Sequence, residues 1–216
     1  MSLFQTHYQE PYKLYTRHVA QCIVSGSTIV DLGCDVGVLA DLVERVSHGC
    51  TIHCVDMNAA ALVTLASKAR NYASTTVQCY HADANTFLQR DDIRDINLVV
   101  VHAALHEINA VENQRGYLEL FFARALHILA EQGKIFIGDF FYPPELPEQD
   151  VNAYMETLRV KIGHADPRDR FVNPALLRET AEASGLREHF SLNVRAALEL
   201  DRRYYAFVFE RGDREP

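Results

Sequence analysis

Cationic residues are in short supply: 21 Lys and Arg stand against 29 Asp and Glu, a formal charge of -8. That balance argues against nonspecific nucleic-acid binding, which needs cations to displace counterions from phosphates. No long basic run supplies a local exception. The five cysteines, Cys22, Cys34, Cys50, Cys54 and Cys79, contain no C-x-x-C pair. Cys50 and Cys54 share a strand face, yet no further Cys/His pair completes a zinc pattern. Free thiols in apolar, strand-like stretches behave as small hydrophobes. The expectation is therefore no metal, and a reducing cytoplasm. No apolar run is long enough to span a bilayer and no secretory signal is found, so no membrane partner is expected. Internal repeats and low-complexity tracts are lacking too.

What is present is a chain of 216 residues, 48% hydrophobic, enough to bury a full core as one domain with a modest insertion. Its most informative stretch is Ser27 to Leu39, where a β-branched run reaches Asp31, turns through Gly33 and Gly37, and becomes a helix. An α/β protein makes a ligand-binding turn in this way at the carboxyl end of its first parallel strand. A dinucleotide fingerprint would need G-x-G-x-x-G, and Asp35 and Val38 stand where its second and third glycines would fall.

Hydrophobic periodicity predicts helical structure over Tyr8 to Ile23, strands over 27–32, 51–55, 75–80, 96–101 and 134–140, and helices over 36–47 and from Asn58 to about Tyr72. A long helix is expected from Glu112 to Ala130, stopped by Gly133. Residues 148–170 read as an inserted helix and loop, with Asp166 to Arg170 a solvated loop. Asn173-Pro174 opens another helix that ends at Gly185. Two last strands, about 187–194 and 203–210, are expected to pair antiparallel. Alternation through the fifth strand argues for a doubly wound, mostly parallel α/β sheet. The division expected is an N-terminal helical segment 1–25, a main domain 26–210 with insert 141–170, and a polar tail 211–216.

The turn resembles motif I of the class I S-adenosylmethionine-dependent methyltransferases, an acid followed by Gly-x-Gly-x-Gly. Asp31, Gly33 and Gly37 match, and Asp35 replaces the middle glycine. With the two final strands, the resemblance extends over residues 20–210. It implies a Rossmann-like seven-stranded sheet whose last strand is antiparallel, S-adenosyl-L-methionine as cofactor, and a small-molecule methyl acceptor as substrate. Gly33, Gly37 and the backbone around Cys34 would hold the methionine portion. A carboxylate at Asp35 can crowd or repel it, or turn outward and cap the helix.

Asp56 closes the second strand nineteen residues after Gly37, near the spacing of an acid that accepts ribose hydroxyls, and matches motif II of that family. Met57 would then pack on adenine. Asp83, with the amide of Ala84, would meet the adenine edge, although Asp83 also suits a helix cap. After the fourth strand, His102 and His106 are four apart and Glu107 follows; this is not the H-E-x-x-H zinc signature. A general base is the reading carried forward for His106 or His102, with Glu107 and Asp139 as weaker substrate contacts. Tyr12, Tyr15 and Tyr142, with Tyr8, Phe140 and Phe141, are candidates for a substrate lid or for ordinary core. The Asn/Asp-Pro-Pro-Tyr tetrad of base and glutamine methylation is missing after this strand. The alternatives are a non-catalytic cofactor-binding or partner-binding module, kept open by Asp35, and a nucleotide-sugar or nicotinamide enzyme, disfavoured by the glycine spacing. Oligomeric state and the methylated atom are not legible.

Overall fold

Ile96 to His102 forms the central strand β4, in which Leu98, Val99, Val100 and Val101 are wholly buried. A near-continuous apolar run suits a strand covered on both faces. Each such side chain contributes about 1.5–3 kcal/mol relative to exposure. The structure, a computed structural model, describes residues 9–108, 113–143, 145–162, 171–197 and 202–212. Around β4 lie β1 (Thr28–Leu32), β2 (Thr51–Asp56), β3 (Thr76–His81), β5 (Leu129–Phe141), β6 (Leu186–Ala197) and β7 (Arg202–Arg211). They make one seven-stranded sheet in the order β3-β2-β1-β4-β5-β7-β6. The pairs among β1 to β5 are parallel, and β7 runs antiparallel between β5 and β6. The expected fold class is borne out. The strand order reverses between β1 and β4, and a crevice opens beyond their carboxyl ends.

The helices are α1 (Gln9–Ala20), α2 (Val38–Val46), α3 (Ala59–Ala69), α4 (Ala84–Phe87), α5 (Leu105–Ile108), α6 (Gln114–Ile128), α7 (Val151–Ile162) and α8 (Pro174–Ala183). Their starts obey side-chain capping. Asn58 accepts from the amides of Ala60 and Ala61, and Asn173 from that of Ala175, with Pro174 in the first turn. α1 buries Tyr15 and Val19 in the same core as the sheet. All five cysteines are free, and Cys34, Cys50 and Cys54 are buried as small hydrophobes. No described helix is long and apolar enough to cross a membrane.

Three expectations about boundaries need correction or fall outside the described residues. α6 ends at Ile128 and the chain turns directly into β5, so Gly133 lies inside a strand instead of stopping a helix. The register jumps there: Leu129 opposes Ile96, and Lys134 already opposes Leu98. A Cβ at Gly133 would sit 2.7 Å from the Ile96 carbonyl oxygen, so backbone approach at a bulge demands the glycine. Arg211, expected in the polar tail, closes β7 and donates to the carbonyls of Leu126, Leu129 and Ala130. The loop Asp166 to Arg170, like Tyr8, lies outside the described residues.

Gly33, which opens the turn after β1, has φ 75°, and a Cβ there would meet Ala104 Cβ at 2.4 Å. Gly26 has a similar φ of 80° but open space around it. In urea unfolding, Gly26→Ala is expected to cost about 1 kcal/mol for the left-handed backbone. Gly33→Ala is expected to cost about 3 kcal/mol because overpacking adds to it. Equal losses would contradict the close approach of Ala104.

Candidate functional site

A cavity of about 700 Å³ opens at the carboxyl ends of β1, β2 and β4 and beside the loop after β3. Its first wall is the turn after β1. The amides of Gly33 and Cys34 both donate to the Val55 carbonyl, at 2.8 and 3.2 Å, which pins the turn against β2. Asp56 completes the fastening. Its Oδ2 accepts from the Asp35 amide at 2.8 Å and its Oδ1 from the Asn58 amide at 2.7 Å. Asp35 adopts φ 45°, the left-handed region that Asp enters more readily than most residues. The turn geometry that a glycine would give is therefore kept. Asp35 does not cap α2; Gly37 occupies that position without a side-chain cap bond. From α3, Lys68 donates to the Val36 carbonyl at 2.6 Å and to Asp41 at 2.7 Å, clamping the turn from outside.

The second wall follows β2 and β3. Met57 is 68% exposed at the mouth of the cavity. Asp83 lines the cavity and also caps α4: Oδ1 accepts from the amides of Asn85 and Thr86, and Oδ2 from the Thr86 hydroxyl. These bonds, led by the Thr86 hydroxyl, hold its carboxyl below the usual range. The cap and the wall are thus one residue. Ala84 lines the cavity beside it, as does Asn85, which the sequence reading missed. Asn85 is tied to Tyr117 at 3.3 Å and Arg124 at 3.2 Å, both from α6. These contacts span over thirty residues, and no local pattern announces them.

The third wall is the end of β4. His102 stacks on Tyr15 with ring centroids 3.7 Å apart, and both line the cavity. Burial drops the His102 pKa to about 3, so it stays neutral at ordinary pH. Its proton affinity is too low for general-base work near neutrality, and it is a wall of the cavity. His106 is 8% exposed and sits one layer behind, while Glu107 and Ile108 face the cavity. His106 Nδ1 lies 2.7 Å from Asp139 Oδ1, and its amide donates to Asp139 Oδ2 at 2.9 Å. Nε2 lies 3.9 Å from the Glu107 carboxylate. Asp139 is not a cavity contact; it orients His106. Burial pushes the Asp139 carboxyl up, but the His106 imidazole and the hydrogen bonds it accepts outweigh this and hold it below the usual range. An ionised Asp139 can only accept, so it fixes the proton on Nδ1 and leaves Nε2 as the basic nitrogen.

Of the aromatic candidates, only Tyr15 reaches the cavity among the described residues. Tyr12 packs half-buried against the core, and Tyr142 stacks on Phe141 at 4.0 Å. No group of three or more His, Cys, Asp or Glu among the described residues is arranged to hold a metal ion.

The family model described as "Methyltransferase small domain" matches residues 13–140. No curated protein matches the chain. Among solved structures, the cyclopropane synthase MmaA2 from Mycobacterium tuberculosis aligns with a TM-score of 0.73 at 10% identity, covering 91% of this chain and 83% of its own. A mycolic acid cyclopropane synthase, CmaA1, complexed with SAH and CTAB, gives 0.71 at 13% identity, over 94% and 85%. The geranyl diphosphate C-methyltransferase from Streptomyces coelicolor A3(2), in complex with Mg2+, geranyl diphosphate and S-adenosyl-L-homocysteine, gives 0.67 at 10% identity, over 93% and 79%. At these identities the likeness concerns the fold.

Asp31 supplies a pH test of the site. It is 4% exposed, lines the cavity, and accepts no hydrogen bond from a described side chain. Burial first, then the charges of Asp56 and Asp35, raise its pKa from 3.8 to about 7. The folded chain thus keeps a proton that the unfolded chain releases. Stability from this group is complete below the unfolded value and is lost as pH rises through the folded one, by at most about 1.4 kcal/mol per pH unit. Relative to Asp31→Asn, the wild type is expected to lose stability from about pH 4 to 7 and then level off. Urea midpoints for both chains across that range check this, and a constant difference would contradict it.

Proposed function

This chain belongs to the methyltransferase small domain family, and on that footing we propose that it transfers the methyl group of S-adenosyl-L-methionine to a small-molecule acceptor. The observation that carries the reading is one cavity bounded by the glycine turn after β1, Asp56 after β2 and Asp83-Ala84 after β3. The donor set fits the cofactor. Gly33 and the turn backbone suit its methionine portion, the Asp56 carboxylate retains lone pairs for ribose hydroxyls, and Asp83 with Ala84 offers acceptor and donor to an adenine edge. Met57 stands at the mouth, ready to cover a flat ring. When bound, the cofactor supplies an electrophilic methyl carbon on a sulfonium.

The chain's own part is positioning and proton management. Holding an acceptor in line beside the cavity wall at His102 and Tyr15 supplies much of the acceleration. Where the acceptor still bears its proton, His106 is the candidate base, acting across the Glu107 face of the wall because its ring sits one layer behind the cavity. Asp139 holds its Nδ1 proton, and Nε2 faces the Glu107 side of the wall. A cavity of about 700 Å³ suits small ligands. His102-Ala103-Ala104-Leu105 stands where base-methylating relatives would carry their Asn/Asp-Pro-Pro-Tyr tetrad, which favours a small acceptor over a nucleobase. The two cyclopropane synthases and the geranyl diphosphate enzyme support the same acceptor class by fold.

Incubation with S-adenosyl-[methyl-³H]methionine and a panel of phenols, amines and carboxylic acids is expected to label at least one acceptor. His106→Ala is expected to cut turnover about 10²- to 10⁴-fold while S-adenosylhomocysteine binding is unchanged. Full turnover in that variant would remove His106 as the base. Binding without transfer to any acceptor would favour the non-catalytic module.

A further inference from the structure

Asp35 stands where the resembled turn has a glycine, and it does more there than tolerate the backbone. Its amide is fixed by Asp56 at 2.8 Å, which sets where the side chain leaves the chain. That side chain is exposed and lines the cavity. Asp31, 4% exposed, lines the same cavity, and Asp56 is the third carboxylate beside it. The three lie close enough that the charges of Asp56 and Asp35 act on Asp31. None of the described residues lining the cavity is Lys or Arg. The nearby Lys68 ammonium is engaged by the Val36 carbonyl and Asp41. Like charges gathered without a counter-charge raise the energy of the empty site, and a ligand cation lowers it. An ammonium offers three donors to carboxylates that can only accept.

We propose that the Asp35 carboxylate receives the α-ammonium of the cofactor's amino-acid end, making this chain selective for S-adenosyl ligands that carry that charge. The inference rests on the cofactor reading of the cavity. It assigns to Asp35 an attraction in place of a repulsion. Burial and the charges of Asp56 and Asp35 keep Asp31 protonated below about pH 7, so the negative field at this wall comes from Asp35 and Asp56.

The test is calorimetric titration of wild type, Asp35→Asn and Asp35→Gly with S-adenosylmethionine, S-adenosylhomocysteine and 5′-methylthioadenosine. The last lacks the amino-acid end. Asparagine keeps the shape and accepts a left-handed backbone, and glycine relieves it, so both variants are expected to melt near or above wild type. Both are expected to weaken the two amino-acid-bearing ligands about tenfold and to change methylthioadenosine binding by less than about twofold. Equal weakening of all three ligands would make Asp35 a structural residue and overturn the inference, as would no weakening at all. A wild-type chain that binds none of the three would overturn the cofactor reading along with it.

Discussion

One carboxylate holds the site together. Asp56 receives the Asp35 amide on one oxygen and the Asn58 amide on the other. The turn after β1 and the helix start after β2 are thereby fastened to a single rigid strand end. Charge-assisted bonds of this kind contribute about 1.5–3 kcal/mol each. They set the separation between the glycine turn and the loop carrying Met57. Lys68 fastens the same turn from the other side through the Val36 carbonyl. The cavity is therefore a consequence of loops tied to a sheet, with the fully buried β4 as the fixed reference.

Two buried carboxylates show how burial alone does not decide a charge state. Asp139 and Asp31 are 1% and 4% exposed. Asp139 accepts from the His106 ring, the His106 amide and the Phe140 amide, and it stays ionised. Asp31 has other carboxylates for neighbours, and its pKa rises to about 7. The first is spent on holding an imidazole in one tautomer. The second lines the cavity and accepts no hydrogen bond from a described side chain.

The sheet was legible because alternation and strand composition are local signals. Gly33, Asp56 at a strand end and Asp83 do line the cavity, whereas Gly37, expected beside them, lies outside its lining and packs against Leu65. What was not legible depends on partners far away in the chain. Asp139 reads as a pocket residue until His106, thirty-three positions earlier, is seen to occupy it. Asn85 gains meaning only through Tyr117 and Arg124. Gly133 looks like a helix stop because glycine ends helices so often. Its true reason is the Ile96 carbonyl of a neighbouring strand. His102 and His106 look alike in sequence and differ in kind, since one is stacked and neutral and the other is held by a carboxylate.

The most direct test of a nucleoside cofactor held by Asp56 is calorimetric titration with S-adenosylhomocysteine, with Asp56→Ala and NADH as comparisons. Saturable binding at one site per chain is predicted, weakened at least about tenfold in the variant and not reproduced by NADH. No heat of binding from a folded wild-type chain, or binding that ignores the Asp56 substitution, would contradict it.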